Sequence, residues 1–155
     1  MRIRILSICI LILCAMAPSA NAQTKDVEAV KATIIKMFDG MRAGDSSMVA
    51  SVFLKDAPMN TVFTNRNGEV VRSVGSLDRF LNAVGTPHPE VWDEQISSFN
   101  IQIDGDLASA WTPYKFYLGD NFSHCGVNSF QMAKLGGQWK IMYIVDTRRG
   151  TDCPE

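Results

Sequence analysis

Apolar residues recur at three- and four-residue spacing near the start of the chain, and this spacing predicts an amphipathic helix. The repeat runs through Val27, Val30, Ile34, Met37 and Met41, so the apolar side chains share one face. Residues that cap helices precede the repeat, and glycines follow it. The helix is therefore expected to bury this face against another layer of the fold.

Two shorter helices are predicted after it. Asp45 is placed to cap the first, and Ser76 is placed to cap the second, which ends at Gly85. Between them, residues 59–64 and 69–73 predict two short strands joined by a polar turn. The apolar residues expected to face inward from these helices are Met48, Val52, Phe53, Leu77, Phe80, Leu81 and Val84.

The pattern changes in the last third of the chain, where residues 92–149 predict four antiparallel strands. Asp104-Gly105 and Gly136-Gly137 form two-residue hairpin turns, in which positive φ angles are needed. A third turn is expected within residues 119–122. Helices followed by such a meander predict an α+β domain, with the helices packed on one face of a curved antiparallel sheet.

The turns decide which strand residues share the inner face of this sheet. Counting back from the last glycine turn places Phe130 opposite Tyr143. A one-residue change in the middle loop would turn Tyr114 and Phe116 inward in place of their neighbours. With the expected register, the candidate ligand pocket consists of Trp111, Lys115, Tyr117, His124, Asn128, Phe130 and Tyr143.

Three residues at the polar end of this face are candidates for acid–base chemistry. His124 or Glu94 would be the base, since histidine titrates near neutral pH. Tyr117 would donate a hydrogen bond to a developing oxyanion. Structural roles stay open for both bases. Glu94 lies opposite Lys115 in the expected register, as in an ordinary cross-strand ion pair. His124 can have the purely structural role of a hydrogen-bond partner to the backbone.

Two further residues of the last strand, Asp146 and Arg148, project from one face. A salt bridge that holds the C-terminal tail is the favoured interpretation.

The first 22 residues predict a signal peptide rather than part of the fold. Two arginines open the chain, an apolar run follows over residues 5–17, and Ala20-Asn21-Ala22 supplies the small residues that a signal peptidase reads. The run is too short to span a bilayer as a helix. The mature protein is expected to begin near Gln23 and to be exported, to the periplasm or the medium, with no stable membrane anchor; an uncleaved anchor is the alternative.

Cysteine usage supports export. Cys9 and Cys14 leave with the signal peptide, although Cys14 also allows a lipoprotein site. Cys125 and Cys153 remain, and a single pair in an oxidising compartment predicts a disulfide. A bend at Gly150 allows the tail to bring the two together; two free thiols are the alternative.

The full chain has 46% hydrophobic residues, 20% charged residues and a net charge of −1. This composition is globular, and residues 23–155 have the length of one ordinary domain. This balance argues against a nucleic-acid partner, which requires a basic surface. The sequence has no Cys-x-x-Cys pair and no phosphate-binding glycine motif, so neither a metal nor a cofactor is predicted.

The order of elements resembles the nuclear transport factor 2-like superfamily, in its exported SnoaL-like or lumazine-binding-like branch. The resemblance covers nearly the whole mature chain. It implies a cone-shaped domain, also called a cystatin-like roll, whose sheet wraps the helices around an open-ended cavity. The residues that carry it are Ala43-Gly44-Asp45, residues 103–108, residues 111–117, Ser123-His124-Cys125-Gly126, Trp139-Lys140-Ile141 and Asp146-Thr147-Arg148-Arg149.

The resemblance also suggests a twofold homodimer, because relatives often pair through the outer face of the last two strands. The residues expected on that face are Val127, Ser129, Gln131, Ala133, Met142 and Ile144. Their apolar character fits a covered surface.

Three functions remain open at this stage. The cavity can bind a small, partly apolar molecule, as an aromatic-lined pocket with few polar groups does. It can instead hold an isomerase, dehydratase or cyclase site. The aromatic residues also fit a packed core, which would leave a structural dimer with a vestigial pocket.

Overall fold

The computed structural model of the chain describes residues 17–154, with side chains from residue 22 onward. Most of the expected signal segment, including Cys9 and Cys14, lies outside the described residues. The helices are α1 (Ala17–Ala43), α2 (Ser46–Ala50) and α3 (Leu77–Gly85). The strands are β1 (Pro58–Thr64), β2 (Val70–Ser76), β3 (Trp92–Ile96), β4 (Asn100–Asp104), β5 (Leu107–Leu118), β6 (Asn121–Leu135) and β7 (Gln138–Arg148).

The strands form one curved, unclosed sheet in the order β2-β1-β7-β6-β5-β3, and β4 also pairs with β5. The fold is α+β, as predicted, but the sheet is mixed because β1 and β7 run parallel. The segment after α2 explains this direction. Leu54 donates its N–H to the carbonyl of Ile141, and Ile141 donates to the carbonyl of Val52, so the chain already runs beside β7 before β1 begins.

Helix α1 lies across the inner face of the sheet with the predicted apolar stripe inward. Val30, Ile34 and Met37 are buried in the core, beside the sheet residues Phe130 and Met132. This burial confirms the predicted face of α1. No helix in the described part of the chain is long and apolar enough to cross a membrane.

Both predicted helix caps are present. The Asp45 carboxylate accepts a hydrogen bond from the N–H of Met48 at 2.9 Å. The Ser76 hydroxyl accepts one from the N–H of Arg79 at 3.3 Å. Each bond satisfies a backbone donor in the first turn that has no partner within the helix. The Ser76 cap marks the passage from β2 into α3, and the Asp45 cap begins α2 directly after the turn that ends α1.

The middle turn lies one residue earlier than predicted. Gly119 takes the first central position with φ +57°, and Leu118 faces Asn121. A bulge between Phe116 and Tyr117 then sets the register, with Phe116 opposite His124. Because neighbouring strand residues point to opposite faces, the predicted face of β5 is wrong. The one-residue alternative considered for this loop is the observed arrangement.

A second bulge changes the outer half of the last hairpin. Met132 faces Ile141 as predicted, but Phe130 faces Ile144 instead of Tyr143. The extra residue in β7 is Met142, and it reverses the faces beyond it. The expectation that Ile144 lies on the outer face is therefore wrong, since Ile144 is buried in the core.

The tail is joined to the sheet as predicted by a disulfide between Cys125 and Cys153, whose Cα atoms lie 5.5 Å apart. Because of the β7 bulge, Cys125 pairs with Arg149 rather than with Arg148, through two backbone hydrogen bonds of 2.9 Å. The pairing and the disulfide hold residues 149–153 beside the first third of β6.

Candidate functional site

A cavity of about 630 Å³ lies between the inner face of the sheet and the helices. Most of its wall is apolar and comes from every layer of the fold: Met37, Phe38 and Met41 of α1, Met59 of β1, Phe80 of α3, Trp92 of β3, Phe116 and Leu118 of β5, and Ile144 of β7. One cluster of polar side chains in the wall consists of Glu94, His124, Asn128, Asp146 and Arg148. The other polar residues of the wall are Asn60, Thr61, Ser73, Ser76, Arg79 and Ser123.

Asp146 is the centre of one polar cluster and is only 8% exposed. Its carboxylate accepts from the Thr61 hydroxyl at 2.6 Å and from Nε of Arg148 at 2.7 Å. The Tyr114 hydroxyl lies 3.2 Å from Asp146 and 2.9 Å from the carbonyl of Thr147, so it shares one proton between two acceptors. Burial raises the pKa of Tyr114, and the charge of Asp146 adds to the effect. Tyr114 therefore stays neutral and rigid.

Glu94 and Asn128 form the second cluster. Asn128 is 4% exposed, and its side-chain amide donates to Oε1 of Glu94 at 2.7 Å. Protein surrounds Glu94 except for a limited opening. Burial raises the pKa of Glu94 to about 8, the charge of Asp146 adds to this, and the hydrogen bond from Asn128 opposes it. At neutral pH Glu94 is therefore mainly an uncharged acid that can donate its own proton.

His124 lies between the clusters and the aromatic wall. Its ring packs against Phe116 at 5.0 Å and edge-on to Tyr114 at 5.8 Å. The Ser123 hydroxyl lies 3.0 Å from Nδ1, while Nε2 has no hydrogen-bond partner among the described residues. Burial lowers the pKa of His124, and the charge of Arg148 lowers it further. The ring is therefore neutral at pH 7 and can accept or donate a proton.

The structure brings together three of the residues predicted for the site. Glu94, His124 and Asn128 all line the cavity. The expected ion pair between Glu94 and Lys115 is not formed, because Glu94 faces Phe116 and Lys115 faces Gln95. The first hairpin turn lies one residue later than predicted, with Gly105 and Asp106 at its centre and Asp104 opposite Leu107. This shift, together with the break at residues 97–99 between β3 and β4, changes the register of β3 against β5.

The other predicted pocket residues lie elsewhere, so their placement on the cavity wall is corrected. Trp111, Lys115 and Tyr117 point to the outer side of β5, and Trp111 is 53% exposed. Phe130 is fully buried in the core under α1. Tyr143 lies on the outer side of β7, where its hydroxyl accepts from the Asn60 amide at 3.1 Å. All five residues belong to the described part of the chain, and none of them lines the cavity.

Several residues line the cavity although the sequence pattern did not predict them as pocket residues, and each has a recognisable feature in the sequence. Phe116 was available through the alternative register of the middle loop. Asp146 and Arg148 form the predicted salt bridge at 2.7 Å, but both also line the cavity. Met37 and Met41 carry the helical spacing of core residues, and that spacing does not distinguish a core from a cavity wall.

The described side chains suit hydrogen bonding and apolar contact better than metal binding. No three or more His, Cys, Asp or Glu residues between 17 and 154 converge on one point. The site can therefore hold an apolar body against its aromatic and methionine wall and orient it with a few polar groups.

Residues 25–145 match the model of the protein family described as "Putative lumazine-binding". This chain belongs to that family. The match includes β1 to β6, most of β7 and the cavity residues Glu94, His124 and Asn128, whereas Asp146 and Arg148 lie just beyond it. No curated protein matches the chain.

Solved structures of low identity share the fold of this chain. A protein of unknown function from Mycobacterium tuberculosis is 17% identical, with a TM-score of 0.70 over 89% of this chain and 79% of its own. A protein titled "Putative Scytalone Dehydratase" from Novosphingobium aromaticivorans is 13% identical, with a TM-score of 0.68 over 88% and 92%. An NTF2-like protein with a cystatin-like fold from the same species is 9% identical, with a TM-score of 0.68 over 86% and 88%. The nuclear transport factor 2-like fold is thereby confirmed.

Proposed function

We propose that the chain binds a small, partly apolar organic molecule in its cavity. The observation that carries the proposal is the cavity of about 630 Å³, in which a largely apolar wall faces a cluster of polar groups. Binding pockets for small molecules have volumes of about 300–1,000 Å³ and are built in this way. The family name adds lumazine, a flat heteroaromatic molecule, to the candidate ligands.

The protonation states of Glu94 and His124 favour a ligand with hydrogen-bonding groups. Glu94 and His124 are mainly uncharged at neutral pH because burial shifts the pKa of each toward its neutral form. Glu94 can donate to a ligand oxygen, and Nε2 of His124 can donate or accept. The two groups would fix the orientation of a molecule whose body contacts Trp92 and Phe116.

A fluorescent apolar probe tests the proposal. N-phenyl-1-naphthylamine is uncharged, and we expect its fluorescence to rise on binding to the wild-type protein and to fall when lumazine or another true ligand displaces it. Met59→Trp fills the cavity and should weaken probe binding by about tenfold or more, which corresponds to about 1.4 kcal/mol.

The matched control is Met142→Trp, which adds the same indole on the outer side of the sheet, where Met142 is 39% exposed. It should leave probe binding unchanged. Both variants are first checked for native circular dichroism. The proposal is wrong if the wild-type protein does not bind the probe. It is also wrong if a folded Met59→Trp protein binds the probe as well as the wild type does.

An acid–base enzyme is the second candidate function, because a neutral acid, Glu94, and a neutral base, His124, face one cavity. Groups of this kind can move a proton to and from a carbon next to a carbonyl. Tyr117, the donor predicted from the sequence, lies on the outer face, so Glu94 takes over the role of hydrogen-bond donor to the carbonyl oxygen.

Hydrogen–deuterium exchange tests this activity without knowledge of the substrate. With 2-tetralone in D₂O, an acid–base site should accelerate exchange of the protons next to the carbonyl above the buffer rate, as measured by NMR. His124→Asn should remove the acceleration, and Lys55→Gln, an exposed change, should not. A wild-type rate equal to that of buffer would argue for binding alone.

A further inference from the structure

A second depression of about 450 Å³ adjoins the cavity at its polar region. Both spaces are lined by Thr61, Ser73, His124 and Arg148, so a molecule in one can reach into the other. The second space is the more open of the two. It can be described as the mouth of the cavity, and its remaining lining residues are Phe63, Thr64, Arg149 and Gly150.

The mouth differs from the cavity in charge. Two arginines line it, and no acidic residue of the described chain does. Arg148 uses Nε for Asp146, which leaves its two terminal nitrogens without a hydrogen bond among the described residues. The Arg149 side chain has no hydrogen-bond or ion-pair partner there either. Thr64 and Ser73 add hydroxyl donors.

The tail holds these cations in place. Arg149 exchanges two backbone hydrogen bonds with Cys125, and the Cys125–Cys153 disulfide closes the segment that follows. Arg148 lies in β7 beside Phe63 of β1. Since both backbones are fixed, an anion bound between the arginines would not have to order the tail, and this lowers the entropic cost of binding.

We infer that the mouth is an anion subsite, and that the ligand is an amphipathic monocarboxylate whose apolar body lies in the cavity and whose carboxylate is bound by Arg148 and Arg149. This inference rests on the proposed binding function. A guanidinium group matches the geometry of a carboxylate with two parallel hydrogen bonds. A single negative charge is favoured, because Asp146 already offsets one of the two arginine charges.

A pair of probes with the same body separates the two proposals. 1-Naphthaleneacetate and 1-naphthaleneacetamide differ in charge but hardly in shape, and calorimetry with the full-length protein at pH 7 measures both. We expect the carboxylate to bind about tenfold more tightly, as one charge-assisted hydrogen bond partly open to solvent would give. Added salt should weaken the carboxylate more than the amide.

Arg149→Gln should remove most of that preference by weakening the carboxylate and leaving the amide unchanged. Lys55→Gln, the matched control, removes the same charge from an exposed site outside both spaces and should preserve the preference.

Equal binding of the two probes to wild type, or an equal effect of Arg149→Gln on both, would overturn the anion subsite and leave the cavity proposal standing. Binding of neither probe, together with failure of the uncharged fluorescent probe, would overturn both. Tighter binding of 1-naphthyl phosphate than of the carboxylate would overturn the choice of a monoanion.

Discussion

Burial of a single carboxyl group links the stability of this protein to pH. The folded protein raises the pKa of Glu94 from 4.5 to about 8, so the native state holds a proton that the unfolded state releases between these values. The stabilisation is full below pH 4.5 and is lost as the pH rises through about 8. Urea denaturation at several pH values should therefore show the free energy of unfolding falling by a few kcal/mol, since one pKa unit corresponds to about 1.4 kcal/mol.

Glu94→Gln provides the comparison, because the glutamine carbonyl can still accept the hydrogen bond from Asn128 but cannot ionise. Its free energy of unfolding should change less with pH than that of the wild type over the same interval. Asp104→Asn, in the exposed β4–β5 turn, should keep the wild-type dependence. Parallel curves for Glu94→Gln and wild type would contradict the assignment.

Gly126 allows strands β6 and β7 to approach each other closely. A Cβ atom at this position would overlap the carbonyl oxygen of Thr147 in the neighbouring strand. Gly126→Ala should therefore push β6 and β7 apart and lower the free energy of unfolding by about 1–3 kcal/mol, as overpacking does. Gly150→Ala is the control, because nothing lies within 4 Å of its added Cβ. Equal unfolding midpoints for the two variants would refute the close approach as the cause.

At the scale of elements, the disulfide joins strand β6 to the tail. It closes a loop of 28 residues, and the chain-entropy account gives such a loop about 3.6 kcal/mol of stabilisation. The double variant Cys125→Ala/Cys153→Ala should lose about this much in thermal or urea unfolding. A reducing agent should destabilise the wild type and leave the double variant unchanged. Peptide mapping without reductant should recover both half-cystines in one linked peptide, whereas full alkylation of both thiols would exclude the bond.

For the whole molecule, the outer side of the sheet predicts self-association. Trp111 is 53% exposed and Met142 is 39% exposed, and such apolar surface favours a covering partner. We expect a twofold homodimer and expect Trp111→Glu with Met142→Glu to produce a monomer in light scattering. Ile144 is buried, so a charge there would damage the core and cannot test the interface.

Leu135→Glu is the matched control for the dimer, since Leu135 is equally exposed but lies at the last hairpin turn. It should leave the molecular mass unchanged. A wild type that is monomeric at micromolar concentration would end the dimer proposal.

Export is the second prediction for the whole molecule. We expect N-terminal sequencing of protein from the periplasm or medium to begin near Gln23. Removal of the preceding residues would spare the core, because the buried stripe of α1 starts at Val30. It would also spare Asp26, which accepts from Lys134 at 2.7 Å and from Trp139 at 3.1 Å. Native protein that retains Met1 would contradict the prediction.

The sequence by itself determined the features that depend on neighbouring residues. The stripe of α1 follows from helical spacing, the caps at Asp45 and Ser76 follow from the need to satisfy backbone donors, and the hairpin glycines follow from positive φ angles. The fold class and the cysteine pair could be predicted for similar reasons: the order of elements limits the packing, and only two cysteines remain after residue 22.

Only the tertiary structure decided which faces of β5 and β7 line the cavity. Each bulge adds one residue and reverses the alternation beyond it, and apolar residues occur on both faces of β5, with Trp111 outside and Phe116 inside. Alternation alone therefore could not select the register. The chemistry of the polar region depends on the same packing, because Glu94 and Asp146 are far apart in sequence and influence each other only when the sheet brings them into one low-dielectric cavity.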